Sequence, residues 1–271
     1  MSKFNIEHCF DEGYYNSVIE RARARGTIKR FVNEIIIEGL DVERLQDESK
    51  SGEQILYASN HKSHLDYIIL GEIIHRNKLP TPRYAAGHNL LAWPISSLID
   101  FRRMGAFSID RKNKSQEYLR NLYKYIQDLT TNGENILFFP EGGRSYNGSY
   151  MKPKTGLVRT VLEAIEKQER AGRKIKVNIV PIHIDYDSVI EKDIFPLLDG
   201  AKKIPIIGTG LYYSLDLFAF AKRYFSTKKG NVYVKFGDSI NIRNLGTNKK
   251  QIADRIMELI KWLGEKEHLS F

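Results

Sequence analysis

The sequence predicts an α/β protein: a single mixed, mostly parallel β-sheet with helices on both faces, preceded by a short N-terminal helical segment. Three observations predict it. Short apolar runs such as Ile35-Ile36-Ile37 and Ile55-Leu56-Tyr57-Ala58 read as strands, and longer stretches of helical period separate them. Strands alternating with helices stack as a sheet covered by helices. No internal repeat or convincing linker interrupts the 271 residues, a length that buries about three quarters of the unfolded surface. The expected organisation is an N-terminal helical addition over residues 1–31 and one domain over 32–271.

In chain order, residues 13–30 mix Tyr14, Tyr15, Val18 and Ile19 with five basic residues, which predicts a basic amphipathic helix. A strand is expected between Val32 and Gly39, then a charged loop from Asp41 to Gly52. The central strand covers 54–59 and a helix about 64–75. Between them lies Asn60-His61-Lys62-Ser63-His64-Leu65-Asp66, where Ser63 followed three residues later by Asp66 marks a helix start. Arg83 to Ala86 and Gly105 to Ile109 are further strands, the second ending at Asp110-Arg111. Tyr118, Leu122, Tyr125 and Leu129 set a 3.6-residue period for a helix near 115–130. Asn135 to Phe139 is an apolar strand, 140–153 a Gly-rich loop and 155–168 a helix. Lys176 to Asp185 is the longest strand candidate; Val232 to Phe236 is another, and a helix over 248–263 closes the fold.

Composition bounds the partners. Lys and Arg number 42 against 33 Asp and Glu, a formal net charge of +9 that favours anionic partners. The basic residues are dispersed, and no helix-turn-helix, zinc finger or aromatic RNA-binding motif accompanies them, so no nucleic acid is expected. A single Cys9 fits a reducing compartment. The first residues lack a signal-peptide pattern, and no run approaches the roughly 18 apolar residues of a spanning helix. The expected location is cytoplasmic, peripheral on an anionic membrane surface. Leu90 to Ile99 and Leu215 to Phe225 supply the apolar faces beside basic residues for that contact.

Four blocks carry chemistry. His61 and Asp66 lie where a strand turns into a helix, the place ligands occupy in open α/β sheets, and a carboxylate beside an imidazole makes a general-base pair. No Ser or Cys nucleophile is obvious beside them, which leaves a substrate hydroxyl as a candidate for activation. A metal site is not expected, because His61 and His64 have no evident third ligand. Arg111 ends a strand at the same sheet edge. Glu141-Gly142-Gly143-Arg144-Ser145, with Lys152 and Lys154 downstream, combines backbone amides that can approach an anion with a guanidinium that can fork onto phosphate. In Ile179 to Tyr186, His183 reads as a packed strand residue.

Together and in this order, the blocks resemble the glycerolipid acyltransferase family, nearest to bacterial-type glycerol-3-phosphate acyltransferases. The resemblance covers roughly half the chain, from Ile55 to Tyr186. The spellings His61-Lys62-Ser63-His64-Leu65-Asp66-Tyr67, Glu141-Gly142-Gly143-Arg144-Ser145 and Pro153-Lys154-Thr155-Gly156-Leu157 carry it. It implies the catalytic domain alone, moving a fatty acyl group from an acyl thioester, acyl-CoA or acyl carrier protein, to a phosphorylated acceptor without a cofactor. It further implies His61 as base and Asp66 as its orienter. Arg111, Glu141, Gly142, Gly143, Arg144, Ser145 and Lys154 would surround the acceptor. Asp110 and Tyr146 depart from that branch, each standing where a basic residue is usual. The acceptor therefore stays open between glycerol 3-phosphate, dihydroxyacetone phosphate and lysophosphatidate. A non-enzymatic module binding anionic lipid or nucleic acid is the competing class.

Overall fold

The computed structural model describes residues 6, 9–87, 99–110, 113–145, 149–192, 222 and 229–265. The chain begins with helix α1 (Glu12–Ala24), strand β1 (Ile35–Glu38) and helix α2 (Val42–Lys50). Strand β2 (Gln54–Ser59) leads through the His61 turn into α3 (Asp66–Arg76). Strands β3 (Arg83–Gly87) and β4 (Ala106–Ile109) precede α4 (Gln116–Thr131). Strand β5 (Ile136–Phe138) and α5 (Gly156–Arg170) follow, then the long strand β6 (Val177–Tyr186). Strands β7 (Val232–Phe236) and β8 (Ile240–Asn241) come before α6 (Lys249–Glu265).

The strands form one sheet in the order β1-β7-β6-β2-β5-β3-β4, with β8 also pairing β6. The stretch from β6 to β4 is parallel throughout, and β7 turns antiparallel against the outer half of β6. The sheet is thus mixed and mostly parallel, as the sequence predicts. Alternate residues of β2 enter two different cores: Leu56 and Ala58 pack with α4, α5 and α6, whereas Ile55 and Tyr57 pack with α2 and α3. All six residues of β2 are buried. Because β2, β5 and β6 are neighbours running the same way, the segments after Ser59, Phe138 and Tyr186 emerge together at one edge.

Two elements differ from expectation. Helix α1 stops at Ala24, since Gly26 at φ +61° takes the left-handed conformation that ends a helix; a short 3-10 turn covers Ile28–Arg30. The expected charged loop after Asp41 is instead α2, capped by the Asp41 carboxylate on Arg44 N and anchored by buried Leu45. One buried residue is too few to mark a helical period. At the N-terminus, α1 lies against α3 through Tyr15 Oη, which donates to Gly71 O at 3.2 Å, and an Arg23–Glu72 ion pair. Among the described residues no helix is long and apolar enough to cross a membrane. The apolar stretches near Leu90 and Leu215 expected to touch lipid lie almost wholly outside the described residues.

Candidate active site

The site begins with a buried carboxylate. Asp66 opens α3 with no solvent exposure and accepts four hydrogen bonds. Its Oδ2 takes the Lys62 amide at 2.7 Å, the Ser63 amide at 3.0 Å and His61 Nδ1 at 2.7 Å. Its Oδ1 takes the Tyr186 hydroxyl at 2.6 Å. Ser63 Oγ accepts the Leu65 amide at 3.1 Å and Ser63 O the Asp66 amide at 3.2 Å, so Asp66 returns a side-chain bond to Ser63 while the Ser63 hydroxyl oxygen serves Leu65. Asn60 fixes the other end of the turn, because its side chain bonds both the amide and the carbonyl of Ile184 on β6.

With Asp66 accepting from Nδ1, the proton of a neutral His61 sits on that nitrogen and Nε2 is left as the base. The ring stacks on Phe139 with centroids 4.0 Å apart. Burial pushes the imidazole below its ordinary value, with the bond to Asp66 pulling the other way and the Arg144 charge adding to the lowering. A neutral, oriented imidazole at neutral pH is what a general base requires.

The Gly-rich loop closes over this turn. Ser145 N donates to His61 O at 2.9 Å, and Glu141 Oε1 accepts His61 N at 3.3 Å. Glu141 Oε2 accepts Met151 N at 2.7 Å, and burial raises this carboxyl against the pull of the two amides. Gly142 turns the loop at φ +70°, and a Cβ there would meet Lys154 Cγ at 3.0 Å, so side chains other than hydrogen are disfavoured twice. Lys154 itself is exposed. Gly143 is half-buried, and its N–H makes no bond to the protein among the described residues.

Of the residues expected to surround the acceptor, Glu141 and Ser145 bond the His61 backbone, Arg144 lies near enough for its charge to act on the imidazole, and Lys154 packs against Gly142 in the same loop. Arg111 lies outside the described residues, as does Tyr146. Arg144 and Ser145 are buried rather than open to solvent: Arg144 Nη1 donates to Glu191 at 3.1 Å and Ser145 Oγ to Ser149 O at 2.7 Å. Asp110 bonds the Asn113 amide, which ties it into the approach to α4. His183 is buried against Tyr150, with 3.1 Å between Nδ1 and the hydroxyl, as a packed strand residue should be. Among the described residues no group of three or more His, Cys, Asp or Glu is placed to hold a metal ion.

Sequence reasoning missed three participants. Tyr186 stands in the fourth block, but its bond to Asp66 spans 120 positions. Lys62 reaches Asp185 at 2.7 Å; burial raises that carboxyl, yet the bonds from His183 and Lys62 outweigh it and hold it well below the usual range. Glu191, wholly buried, follows the last quoted block and carried no local signal.

A sequence model of the acyltransferase family matches residues 41–185, which hold the His61 turn, the Gly-rich loop and most of β6. The chain belongs to the acyltransferase family. Among sequence relatives, a glycerol-3-phosphate acyltransferase of Alteromonas mediterranea is 33% identical over 73% of this chain and 23% of its own length. One of Pasteurella multocida is 31% identical over 86% of this chain and 28% of its own. The chain therefore spans about a quarter of the length of these relatives. Among solved structures, the 1-acyl-sn-glycerophosphate acyltransferase of Thermotoga maritima superimposes with a TM-score of 0.55 over 94% of this chain and 81% of its own, at 16% identity. That likeness shows the acyltransferase fold.

Proposed function

We propose that this acyltransferase moves a fatty acyl group from an acyl thioester to a hydroxyl of glycerol 3-phosphate, a step of phospholipid synthesis. The observation that carries the reading is His61 held by buried Asp66 at 2.7 Å with Nε2 left as the base, while the hydroxyls of neighbouring Ser63 and Ser145 donate to Glu191 and to Ser149 O. The names of the sequence relatives support glycerol 3-phosphate as acceptor.

In the mechanism, His61 Nε2 takes the proton of the acceptor hydroxyl as its oxygen attacks the thioester carbonyl carbon. The imidazolium is stabilised by Asp66, and the carbonyl oxygen carries the negative charge of the tetrahedral intermediate. Of the loop amides, Gly142 N–H is committed to Phe139 O, so Gly143 N–H is assigned to that oxyanion. The C–S bond then breaks, and the thiolate leaves with the proton from Nε2. Ester and free thiol are the products, and no acyl-enzyme forms. Arg144 and Lys154, with Arg111, supply positive charge for the acceptor's phosphate. Acyl-CoA and acyl carrier protein are both anionic donors suited to a net charge of +9, and the same charge favours peripheral binding to anionic membrane.

The test is thiol release from a long-chain acyl-CoA or acyl carrier protein on adding glycerol 3-phosphate, dihydroxyacetone phosphate, lysophosphatidate or glycerol in turn. Glycerol 3-phosphate should give the highest kcat/KM. Release that no acceptor accelerates would remove the reading, and preference for lysophosphatidate would reassign the acceptor.

A further inference from the structure

Glu191 lies 5 residues beyond the end of β6 with no solvent exposure, and its carboxylate faces both halves of the site. Oε2 accepts the Ser63 hydroxyl at 2.8 Å. Oε1 accepts the His64 amide at 2.9 Å and Arg144 Nη1 at 3.1 Å. The His61 turn is therefore held by three buried carboxylates: Asp66 takes the amides of Lys62 and Ser63, Glu141 that of His61, and Glu191 that of His64 and the Ser63 hydroxyl. Only Glu191 also grips a side chain of the Gly-rich loop.

We propose that Glu191 is a positioning residue, which sets the orientation of the Arg144 guanidinium relative to His61 and so governs binding of the acceptor's phosphate. A long arginine in a loop between strand and helix has many rotamers, and its fork binds phosphate well only when aimed. Glu191 supplies the aim from the His61 side, because the atoms it bonds belong to the turn bearing the base. Distance in sequence hid this link: Glu191 stands 128 positions from Ser63 and 47 from Arg144.

The inference rests on the phosphorylated-acceptor reading above, and geometry rather than charge is its content. Glu191→Gln can keep all three bonds, with its oxygen toward His64 N and Arg144 and its amide donating to Ser63 Oγ. Glu191→Asp keeps the charge, but a shorter side chain cannot reach all three donors. The experiment measures KM for glycerol 3-phosphate and for the acyl thioester in the wild type, both variants, Arg144→Ala, and Arg144→Ala combined with Glu191→Asp. Thermal melts confirm folding. Glu191→Asp should raise the acceptor KM by about 10-fold or more, the scale of one lost charge-assisted contact, and leave the thioester KM within about 2-fold. Glu191→Gln should stay within about 3-fold of the wild type on both, and Glu191→Asp should add nothing once Arg144 is Ala.

A purely structural role predicts lower melting without a selective change in acceptor KM, and that result overturns the proposal. Equal changes in both KM values, or a Gln variant as impaired as the Asp variant, also overturn it. If Glu191→Asp does not fold, Ser63→Ala reads the same tether from its other end, and an unchanged acceptor KM there counts against the proposal. A wild-type chain that uses no phosphorylated acceptor removes the functional reading and this inference together. An active wild type with indifferent variants removes the inference alone.

Discussion

Asp66→Asn isolates the charge behind the base. The carboxylate makes four bonds, and an Asn can satisfy the same four groups if its oxygen takes the Oδ2 position and its amide faces the Tyr186 hydroxyl. The turn and the His61 tautomer are then kept; the negative charge is lost, and the Tyr186 hydroxyl accepts where it had donated. That charge matters when Nε2 gains a proton, because the imidazolium then forms 2.7 Å from a fully buried oxygen. At an effective dielectric near 20, opposite charges about 4 Å apart attract by about 4 kcal/mol. At 1.36 kcal/mol per decade, this predicts a fall in kcat of roughly 10³-fold. The assay is steady-state thiol release at saturating acyl thioester and acceptor, with a melting curve to show that the Asn variant folds. A folded Asp66→Asn protein within about 3-fold of wild-type kcat would refute the reasoning, since a charge at that distance cannot be so cheaply removed from a general-base step.

The pH dependence of kcat/KM should rise through an acid limb whose midpoint lies below 6.5, because burial lowers His61 and the base works only when neutral. Stability linked to the same group is present above 6.5 and lost as pH falls through the lowered midpoint; a limb at or above 6.5 in a pH–rate profile would contradict this. Arg144→Ala should lower kcat/KM for glycerol 3-phosphate by about 10- to 150-fold and affect unphosphorylated glycerol far less, in parallel assays on protein shown to be folded. Folding must be checked there, because the substitution strands the Glu191 carboxylate in the interior; equal losses on both acceptors would reassign Arg144 to the thioester or to the fold. Binding to anionic liposomes should weaken from low to high salt in co-sedimentation, at about 1 kcal/mol per basic residue near the surface.

What the sequence reveals is what it encodes locally. The His61 turn is legible because a buried strand, a Ser63-to-Asp66 helix start and an apolar helix follow one another within about 20 residues. Strand β2 and helix α4 agree with their apolar patterns to within a residue or two. Helix α2 is missed because Asp41 and Leu45 are its whole signal, a cap and one buried side chain. The site is legible in part for the same reason. His61 and Asp66 find each other across 5 positions, whereas Tyr186 and Glu191 reach the turn from 120 or more positions away. Arg144 shows the limit from the other side: charge and neighbouring glycines suggest an open guanidinium, whereas it is buried against a carboxylate 47 positions away.

The central claim is that His61 is the base of an acyl transfer to a substrate hydroxyl. It is tested most directly by incubating wild type, His61→Ala and His64→Ala with an acyl thioester and glycerol 3-phosphate, following thiol release and weighing the ester product by mass spectrometry. The account predicts acylated glycerol phosphate from the wild type and a loss of about 10²–10⁴-fold in kcat for folded His61→Ala. His64→Ala should lose far less, because the bond of that residue to Glu191 is made by its backbone. Near-normal turnover by folded His61→Ala, or a greater loss in His64→Ala, would contradict it.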